Sequence, residues 1–347
     1  RTARWSRPLQ DGPALRFVID SRRAEPGTVF SALPGTRVDG HEYLETAARA
    51  GASVLIASGT KVSAEREAAL HALGATLLYA QDDVLALLQA LAGAWRRCLP
   101  YPIIGITGTA GKTTTKEMLC HVLVAAGWRV AFTPGNHNNH LGLPLSLLNA
   151  PRAADVGVFE IGISFPGEMA GLARILAPDH ALLVSVGAAH LQDLESVALV
   201  AREKLVLLSM VPEAGTAWLP AGHPEVEAAL AAPLRAHQRT VGDTPAADLR
   251  VLETSADGVR FVLSGRECGF SIPGAGAHVH ADGLFVVGVA ETLGIDLDDA
   301  CRMLSSFEAR AQRNQWLTIA GVTVLDDSYN ANALSMAAAL RLVADRA

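Results

Sequence analysis

The stretch GITGTAGKTTTKEML, residues 105–119, most strongly determines how this 347-residue chain is interpreted. Its apolar start predicts a buried strand, and a short loop containing two glycines then leads into a helix that opens with Lys112 and Thr113. Backbone N–H groups of such a loop and the helix N-terminus bind phosphate, while the lysine and threonine serve the terminal phosphates and Mg²⁺. The usual P-loop pattern has glycine where this chain has Ile106. The stretch is therefore a nucleotide-binding loop of another lineage or a glycine turn, and the order of strand, loop, Gly-Lys-Thr and helix favours the former.

The composition excludes several classes of protein. Half of the residues are apolar and 18% are charged, which is typical of a globular chain. There is no continuous apolar run near 18 residues, so no membrane span is predicted. A net charge of -6 gives no general attraction to nucleic acid. The four cysteines form no C-x-x-C pair, which favours a reducing cytoplasm.

Lysine is rare in this chain, and most positive charge comes from arginine. Among 29 lysine and arginine residues, the lysines are Lys61, Lys112, Lys116 and Lys204. Because arginine can supply charge alone, a retained lysine suggests a need for a primary amine or a compact ammonium. This reasoning marks Lys112 and Lys204 as candidate functional residues.

Apolar runs alternate with helical patterns from residue 103 to residue 210. The predicted order is strand 103–107, helix 113–126, strand 155–162, helix 167–176, strand 180–187 and helix 194–210. Such alternation predicts a mostly parallel sheet covered by helices on both faces. Ligands of these sheets bind at the carboxyl ends of the strands.

The flanking regions have different patterns. Short apolar runs and one helical segment predict a small α/β unit that ends near residue 98, where Pro100 and Pro102 follow. Residues 213–273 have the pattern of shorter strands, including runs at 215–220, 258–265 and 269–274. The remaining predicted elements are helices at 281–293 and 297–306, a strand at 321–327 and a helix from about 334.

Several polar residues follow predicted strands of the central region. Glu160 and His190 lie where strands end, and Lys204 lies on the next helix; any one of them could instead be a solvated or capping residue. A carboxylate beside the phosphate loop would hold Mg²⁺. The amide-rich loops TPGNHNNHLGLP (133–144) and LDDSYNAN (325–332) suit recognition of a polar ligand, although asparagine and glycine also favour turns.

Taken together, these motifs resemble the Mur ligases, ATP-dependent amide-forming enzymes of peptidoglycan synthesis. The resemblance covers nearly the whole chain, through GITGTAGKTTTKEML, EIGISFPGEM, VGAAHLQDLES, AREK and GAHVHAD. Members of this family use the shorter spelling T-G-T-x-G-K-T, which Ile106 fits. The strings NHNNHLGLP and DDSYNAN resemble the member that joins D-alanyl-D-alanine to UDP-N-acetylmuramoyl-tripeptide.

The resemblance implies an α/β architecture of three domains. Residues 1–98 would bind the UDP-linked substrate, residues 99–313 would form the central ATP-binding domain with a mostly parallel sheet, and residues 314–347 would begin a C-terminal ligase domain. We expect a cytoplasmic monomer that binds the UDP-linked peptide, and that forms no amide without the rest of that third domain.

The resemblance also implies a reaction and a set of site residues. ATP would phosphorylate the terminal carboxylate of the tripeptide, and the amine of D-alanyl-D-alanine would then displace phosphate. Two Mg²⁺ ions would be held by Thr113, Glu160, His190 and a Lys204 carbamate formed with CO₂, and the catalytic residues would be Lys112, Glu160, His190 and Lys204. The expected nucleotide contacts are Gly108, Thr109, Ala110, Gly111, Lys112, Thr113, Thr114, His278, Asp282, Arg313, Asp327, Tyr329 and Asn330. The expected substrate contacts are Ser21, Arg22, His41, Asn136, Asn138 and Asn139.

Two positions depart from the family pattern, and two alternative functions stay open. Asp282 stands where the family has an asparagine that contacts adenine, so an amide is replaced by an acceptor-only carboxylate. Ala333 replaces a common proline. One alternative is a Mur ligase that adds a single amino acid. The other is a non-catalytic nucleotide-binding module, against which the intact Glu160, His190 and Lys204 argue.

Overall fold

A computed structural model describes residues 3–8, 16–35, 38–81, 83–188, 196–230, 233–255, 257–308, 315–329, 331 and 333–346. The chain divides into two compact units. The first comprises Arg1–Leu99 with Pro144–Ala150, and the second comprises Pro100–Leu143 with Pro151–Ala347. No helix within the described ranges is long and apolar enough to cross a membrane.

The first unit contains a sheet whose described strands have the order β1-β5-β4-β3-β2. The strands are β1 Ala3–Trp5, β2 Arg16–Val18, β3 Thr28–Ser31, β4 Val54–Ser58 and β5 Thr76–Ala80. All neighbouring pairs are parallel except β1 with β5. The helices are α1 Leu44–Arg49, α2 Ala64–Ala72 and α3 Val84–Arg96, with short 3₁₀ turns at Ser21–Arg23, Gly40–Tyr43 and Gly59–Lys61. These elements confirm the predicted α/β character of the N-terminal region.

The second unit is built on a sheet whose described strands have the order β14-β13-β12-β11-β10-β9-β6-β8-β7. The strands are β6 Ile103–Thr107, β7 Val130–Phe132, β8 Val156–Glu160, β9 His180–Leu183, β10 Thr216–Pro220, β11 His237–Gly242, β12 Leu249–Thr254, β13 Val259–Leu263 and β14 Arg266–Phe270. Pairing is parallel from β7 across to β12, and β13 and β14 extend this sheet in antiparallel fashion.

The other helices follow in chain order, and a hairpin precedes the last one. They are α4 Lys112–Ala125, α5 Gly142–Leu148, α6 Glu168–Leu176, α7 Val197–Ser209, α8 Pro224–Ala229, α9 Ala277–Thr292, α10 Leu297–Ser305 and α11 Ala333–Arg346. The hairpin consists of antiparallel β15 Gln315–Ile319 and β16 Val322–Asp326.

Alternation along β6 explains how helices cover both faces of the sheet. Ile104 and Ile106 are fully buried in one apolar cluster with residues of α4, α9 and α10. Between them, Gly105 points to the opposite face, where a β-carbon would lie 3.0 Å from Leu176 of α6 and 3.4 Å from Leu207 of α7. The missing side chain therefore lets those two helices approach the centre of the sheet, and the loop after β6 emerges between the two layers.

The predicted fold class is confirmed, and several element boundaries are corrected. The strand at 103–107 has the predicted bounds, and α4 begins one residue earlier than predicted. The helix expected at 281–293 begins at Ala277, three residues after a turn at residues 273–274. The strand expected at 269–274 ends at Phe270. Strand β7 and helix α5 were not predicted, since each is too short to show a clear periodicity.

Candidate active site

The loop from Gly108 to Gly111 is fixed by the segment that follows β9. The backbone N–H of Thr109 donates to the Ser185 carbonyl oxygen at 3.0 Å. The N–H of Ala110 donates to the Ser185 hydroxyl at 2.9 Å, and that hydroxyl donates to the Ala110 carbonyl oxygen at 2.9 Å. A β-carbon at Gly108 would lie 2.6 Å from Val184, so only glycine fits there. The conformation of the phosphate loop is therefore held by contacts with Val184 and Ser185.

Helix α4 begins directly after this loop. Gly111, the residue before the helix, is in the left-handed conformation with φ of 79° and, being glycine, has no side chain to cap the first turn. An uncapped helix N-terminus carries partial positive charge and free N–H directions, which suit an anion. The loop predicted from sequence to bind phosphate thus has the geometry of an anion cradle.

Two lysines converge on one carbonyl oxygen of the loop. The Lys112 ammonium donates to the Gly108 oxygen at 2.9 Å, and the Lys204 ammonium, which comes from α7, donates to the same oxygen at 3.0 Å. Lys204 is 4% exposed. Lys204 is therefore not a solvated residue, which the sequence had left open, and its neighbour Glu203 accepts a hydrogen bond from the Gly167 N–H at 2.9 Å.

The surroundings of Lys204 change its acidity. Burial, and then the nearby positive charge of Lys112, lower the pKa of the Lys204 ammonium to about 7. A large fraction of its amine is therefore neutral and nucleophilic near neutral pH, unlike an exposed lysine.

Glu160 lies beside the start of α4 because β6 and β8 are parallel neighbours, with Ile106 opposite Glu160. Its Oε2 accepts a hydrogen bond from the Thr113 hydroxyl at 2.8 Å, and its Oε1 accepts from the Asn138 amide at 2.7 Å. The carboxylate is 1% exposed. A threonine hydroxyl and a carboxylate in contact at the end of a phosphate loop are oxygen donors of the kind that Mg²⁺ prefers. The residues present therefore fit a magnesium ion.

Asp282 of α9 packs against the other side of the loop. A β-carbon at Gly111 would lie 2.5 Å from Oδ2 of Asp282, so the carboxylate and the loop backbone are in close contact. Burial raises the pKa of the Asp282 carboxyl to about 7, against the lowering effect of the Lys112 ammonium. The residue that departs from the family pattern is thus placed directly at the phosphate loop.

The predicted substrate contacts of the first unit lie near its short 3₁₀ turns. Ser21 is buried, whereas the side chain of Arg22 is exposed and pairs with Asp20 at 2.7 Å. The His41 ring is buried, and its Nε2 accepts from the Ser58 N–H at 2.9 Å while its Nδ1 lies 2.7 Å from Asp39. Both ring nitrogens of His41 therefore have protein partners, and a uridine contact by these residues stays a prediction.

The amide-rich loop after β7 separates its three asparagines. Asn138 contacts Glu160, as described above, whereas Asn139 accepts hydrogen bonds from the N–H groups of Leu141 and Gly142 and so caps the start of α5. Asn136 is exposed. Of the three, Asn138 is the one whose side chain contacts Glu160.

The remaining predicted contacts lie on later elements or outside the described residues. His278 lies in the first turn of α9, Thr114 lies in the first turn of α4, and Asp327 and Tyr329 follow β16. His190, Arg313 and Asn330 fall outside the described residues, so their predicted roles stay predictions.

Sequence reasoning did not identify Lys116, Thr133 or Ser185 as parts of this site. Lys116 is one of the four lysines and lies one helical turn after Lys112, which was the available signal. Ser185 and Thr133 carried no such signal, because their contacts depend on which strands are neighbours.

Comparison with known proteins identifies the family. The Mur ligase middle domain matches residues 106–290, and the Mur ligase family catalytic domain matches residues 17–96. The chain belongs to the Mur ligase family. The UDP-N-acetylmuramoyl-tripeptide--D-alanyl-D-alanine ligase of Bacillus subtilis is 33% identical over 325 residues, covering 93% of this chain and 68% of the relative. The enzyme of the same name from Mycobacterium bovis is 34% identical over 345 residues, covering 94% and 67%.

Solved structures of Mur ligases give the same result. MurF from Acinetobacter baumannii has a TM-score of 0.82 at 27% identity, covering 95% of this chain and 71% of that one. MurF from Thermotoga maritima in complex with ADP has a TM-score of 0.81 at 27% identity, covering 95% and 75%. This chain is therefore similar to Mur ligases both in sequence and in fold.

Proposed function

We propose that this Mur ligase is an ATP-dependent enzyme that joins D-alanyl-D-alanine to UDP-N-acetylmuramoyl-tripeptide in the synthesis of peptidoglycan precursors. The observation that carries the proposal is the contact of Thr113 with Glu160 at the end of the Gly108–Gly111 phosphate loop. Its relatives of that name support the choice of substrates. We place the reaction in the cytoplasm, where ATP is available.

The reaction that we propose has two steps. The tripeptide carboxylate attacks the γ-phosphorus of ATP, forming an acyl phosphate and releasing ADP. The amine of D-alanyl-D-alanine then attacks the acyl carbon, and the tetrahedral intermediate expels inorganic phosphate and loses a proton to give the amide. Both steps concentrate negative charge on phosphate oxygens, so positive groups that are already in place lower the barrier.

The residues of the loop divide this work. The Gly108–Gly111 backbone and the start of α4 bind the phosphates. The Lys112 ammonium stabilises the negative charge of the γ-phosphoryl group during its transfer. Thr113 and Glu160 would hold Mg²⁺, which supplies charge neutralisation between the nucleotide phosphates when bound.

We further propose that Lys204 works as a carbamate. Its neutral amine, which is abundant because of the lowered pKa, adds to the carbon of CO₂ and releases one proton. The product keeps an N–H that can still donate to the Gly108 oxygen, and its charge changes from positive to negative. This change removes the repulsion between Lys204 and Lys112 and adds a carboxylate-like metal ligand.

The test is a ligation assay with the purified enzyme that includes a complete C-terminal domain, together with ATP, Mg²⁺, the UDP-linked tripeptide and D-alanyl-D-alanine. We expect equal amounts of ADP, phosphate and the UDP-linked pentapeptide, with no product when either peptide is omitted. Glu160→Gln should reduce turnover by at least about 100-fold, because a metal ligand loses its charge. Glu267→Gln on the edge strand β14 is the control and should keep normal turnover. Incorporation of a single amino acid in place of the dipeptide would contradict the proposal.

Carbamylation of Lys204 has its own test. Protein equilibrated with ¹³C-labelled bicarbonate should show one carbamate carbon signal by NMR, and the signal should be missing from Lys204→Met. A spectrum of the wild-type protein without that signal under saturating bicarbonate would exclude the carbamate and leave the ligase assignment standing.

A further inference from the structure

Lys116 is a buried lysine that the reaction described above does not use. It lies on α4, one helical turn after Lys112, and is 2% exposed. Its ammonium donates to the Thr133 carbonyl oxygen at 3.0 Å and to the Gly135 carbonyl oxygen at 2.7 Å. Burying an ammonium is costly unless acceptors surround it, so its position indicates a specific requirement for these contacts.

Both acceptors belong to the segment 133–139, which leads from β7 towards α5 and carries Asn138. The same segment is attached to Glu160 at two points. The Thr133 hydroxyl accepts from the Glu160 N–H at 3.0 Å, and the Asn138 amide donates to Oε1 of Glu160 at 2.7 Å. The segment therefore contacts both the backbone and the side chain of the proposed metal-binding glutamate.

The ammonium also lies near that glutamate. Nζ of Lys116 is 3.9 Å from Oε2 of Glu160, and both side chains are almost completely buried. Helix α4, segment 133–139 and the end of β8 thus form a closed set of contacts, with Lys116 joining the helix to the segment. A carboxylate held on both oxygens, by Thr113 on one side and Asn138 on the other, has little freedom to rotate.

We infer that Lys116 is a positioning residue for the ligase reaction, holding segment 133–139 against Glu160 so that Asn138 fixes the carboxylate orientation needed for phosphoryl transfer. This inference rests on the proposed function where it is tested by measuring kcat. The contacts of Lys116 described above are with segment 133–139 and Glu160, and we expect nucleotide binding to be separable from this role. Arginine is a poor substitute, because its larger planar group does not fit where one compact ammonium meets two carbonyl oxygens.

A double-mutant cycle in the purified enzyme that includes a complete C-terminal domain tests the inference. We expect Lys116→Met to lower kcat by at least about 30-fold while KM for ATP changes by less than about 3-fold. We expect Asn138→Ala to lower kcat by about 10-fold, and the double variant to be no worse than about 2-fold below Lys116→Met alone. Multiplicative losses would show that Lys116 does not act through Asn138, and a kcat within about 3-fold of wild type in Lys116→Met would overturn the inference outright.

Thr115→Val is the matched control. Thr115 is a fully buried neighbour on α4 whose hydroxyl has no hydrogen-bond partner among the described residues, so its loss should leave kcat unchanged. An equal loss of kcat in Thr115→Val would mean that any change in the buried face of α4 is harmful, and would contradict a specific role for Lys116. If Lys116→Met does not fold, Lys116→Gln takes its place in the double-mutant cycle, because the glutamine amide keeps a hydrogen-bond donor group. We expect the same non-additive loss of kcat with Asn138→Ala.

Hydrogen exchange provides a second test that does not depend on catalytic activity. In Lys116→Met, the backbone amides of residues 135–139 should exchange at least about 10-fold faster than in the wild type, while those of residues 119–124 in α4 should keep their protection. Unchanged exchange in the segment would overturn the inference even in an active enzyme. A wild-type enzyme with a complete C-terminal domain that makes no amide would refute the proposed function instead, and hydrogen exchange would still decide the role of Lys116.

Discussion

Replacing Lys204 by methionine should make the protein more stable at neutral pH and nearly inactive. The pKa of the Lys204 ammonium falls from 10.5 to about 7 on folding. One pKa unit corresponds to about 1.4 kcal/mol, so the protonated lysine lowers the free energy of unfolding by about 5 kcal/mol at pH values below 7. Methionine has a similar length and no charge, but it cannot make the hydrogen bond to Gly108, which contributes about 1.5–3 kcal/mol. The net expectation is a gain of about 2 kcal/mol at pH 7.

The sign of this effect should depend on pH. Because the folded-state pKa lies below the unfolded-state value, the folded protein binds fewer protons between about pH 7 and pH 10.5. The cost of the lysine therefore shrinks as the pH rises through this window, while the hydrogen bond to Gly108 remains. We expect Lys204→Met to be more stable than wild type at pH 7 and less stable at pH 10.

The assay is denaturant unfolding of both proteins at the two pH values, in buffers freed of CO₂ so that no carbamate forms. Lys61→Met, at a partly exposed lysine paired with Asp39, is the control and should change stability by less than about 1 kcal/mol at either pH. In the ligation assay, Lys204→Met should lose at least about 100-fold in turnover. A Lys204→Met protein that is less stable at pH 7, or that shows the same difference at both pH values, would refute the assigned desolvation of this ammonium.

Three further outcomes follow from the phosphate loop. Lys112→Met should reduce phosphoryl transfer, measured by ADP release, by at least about 1000-fold, while the melting temperature measured by calorimetry stays near that of wild type. Normal ADP release would exclude a role for the charge of Lys112. Gly111→Ala should weaken nucleotide binding by at least about 10-fold in a titration, because Gly111 has φ of 79° and the new methyl group would meet Asp282. Unimpaired binding would show that the loop tolerates a different conformation. Asp282→Asn should raise the free energy of unfolding by about 4 kcal/mol at pH 8 and leave it nearly unchanged at pH 4, because the pKa of Asp282 is raised from 3.8 to about 7 and the ionised form is the disfavoured one. An equal gain at both pH values would contradict this.

Much of the fold was predictable because it depends on local pattern. The apolar run at 103–107, the glycine-containing loop and the helix after it follow one another in the chain, so hydrophobic periodicity and turn chemistry are enough to identify them. The short strand β7 and helix α5 were missed for the same reason, since three and seven residues contain too few repeats.

The sequence by itself also selected Lys112, Thr113, Glu160 and Lys204, through the loop motif, strand-end polarity and the scarcity of lysine. It could not show which of them meet. Thr113 contacts Glu160 because β6 and β8 are parallel neighbours in register, and Lys204 reaches the Gly108 oxygen across 96 positions of sequence.

Only the tertiary structure decided the electrostatic state of the site. Lys204 is an ordinary helix lysine until α7 packs against the sheet and removes it from water beside Lys112, which lowers its pKa. Asp282 likewise becomes a disfavoured carboxylate only when α9 places it against Gly111. Local sequence specifies strands, turns and charge types, whereas desolvation and charge pairing arise from neighbours that are distant along the chain, so they are fixed only when the helices pack on the sheet.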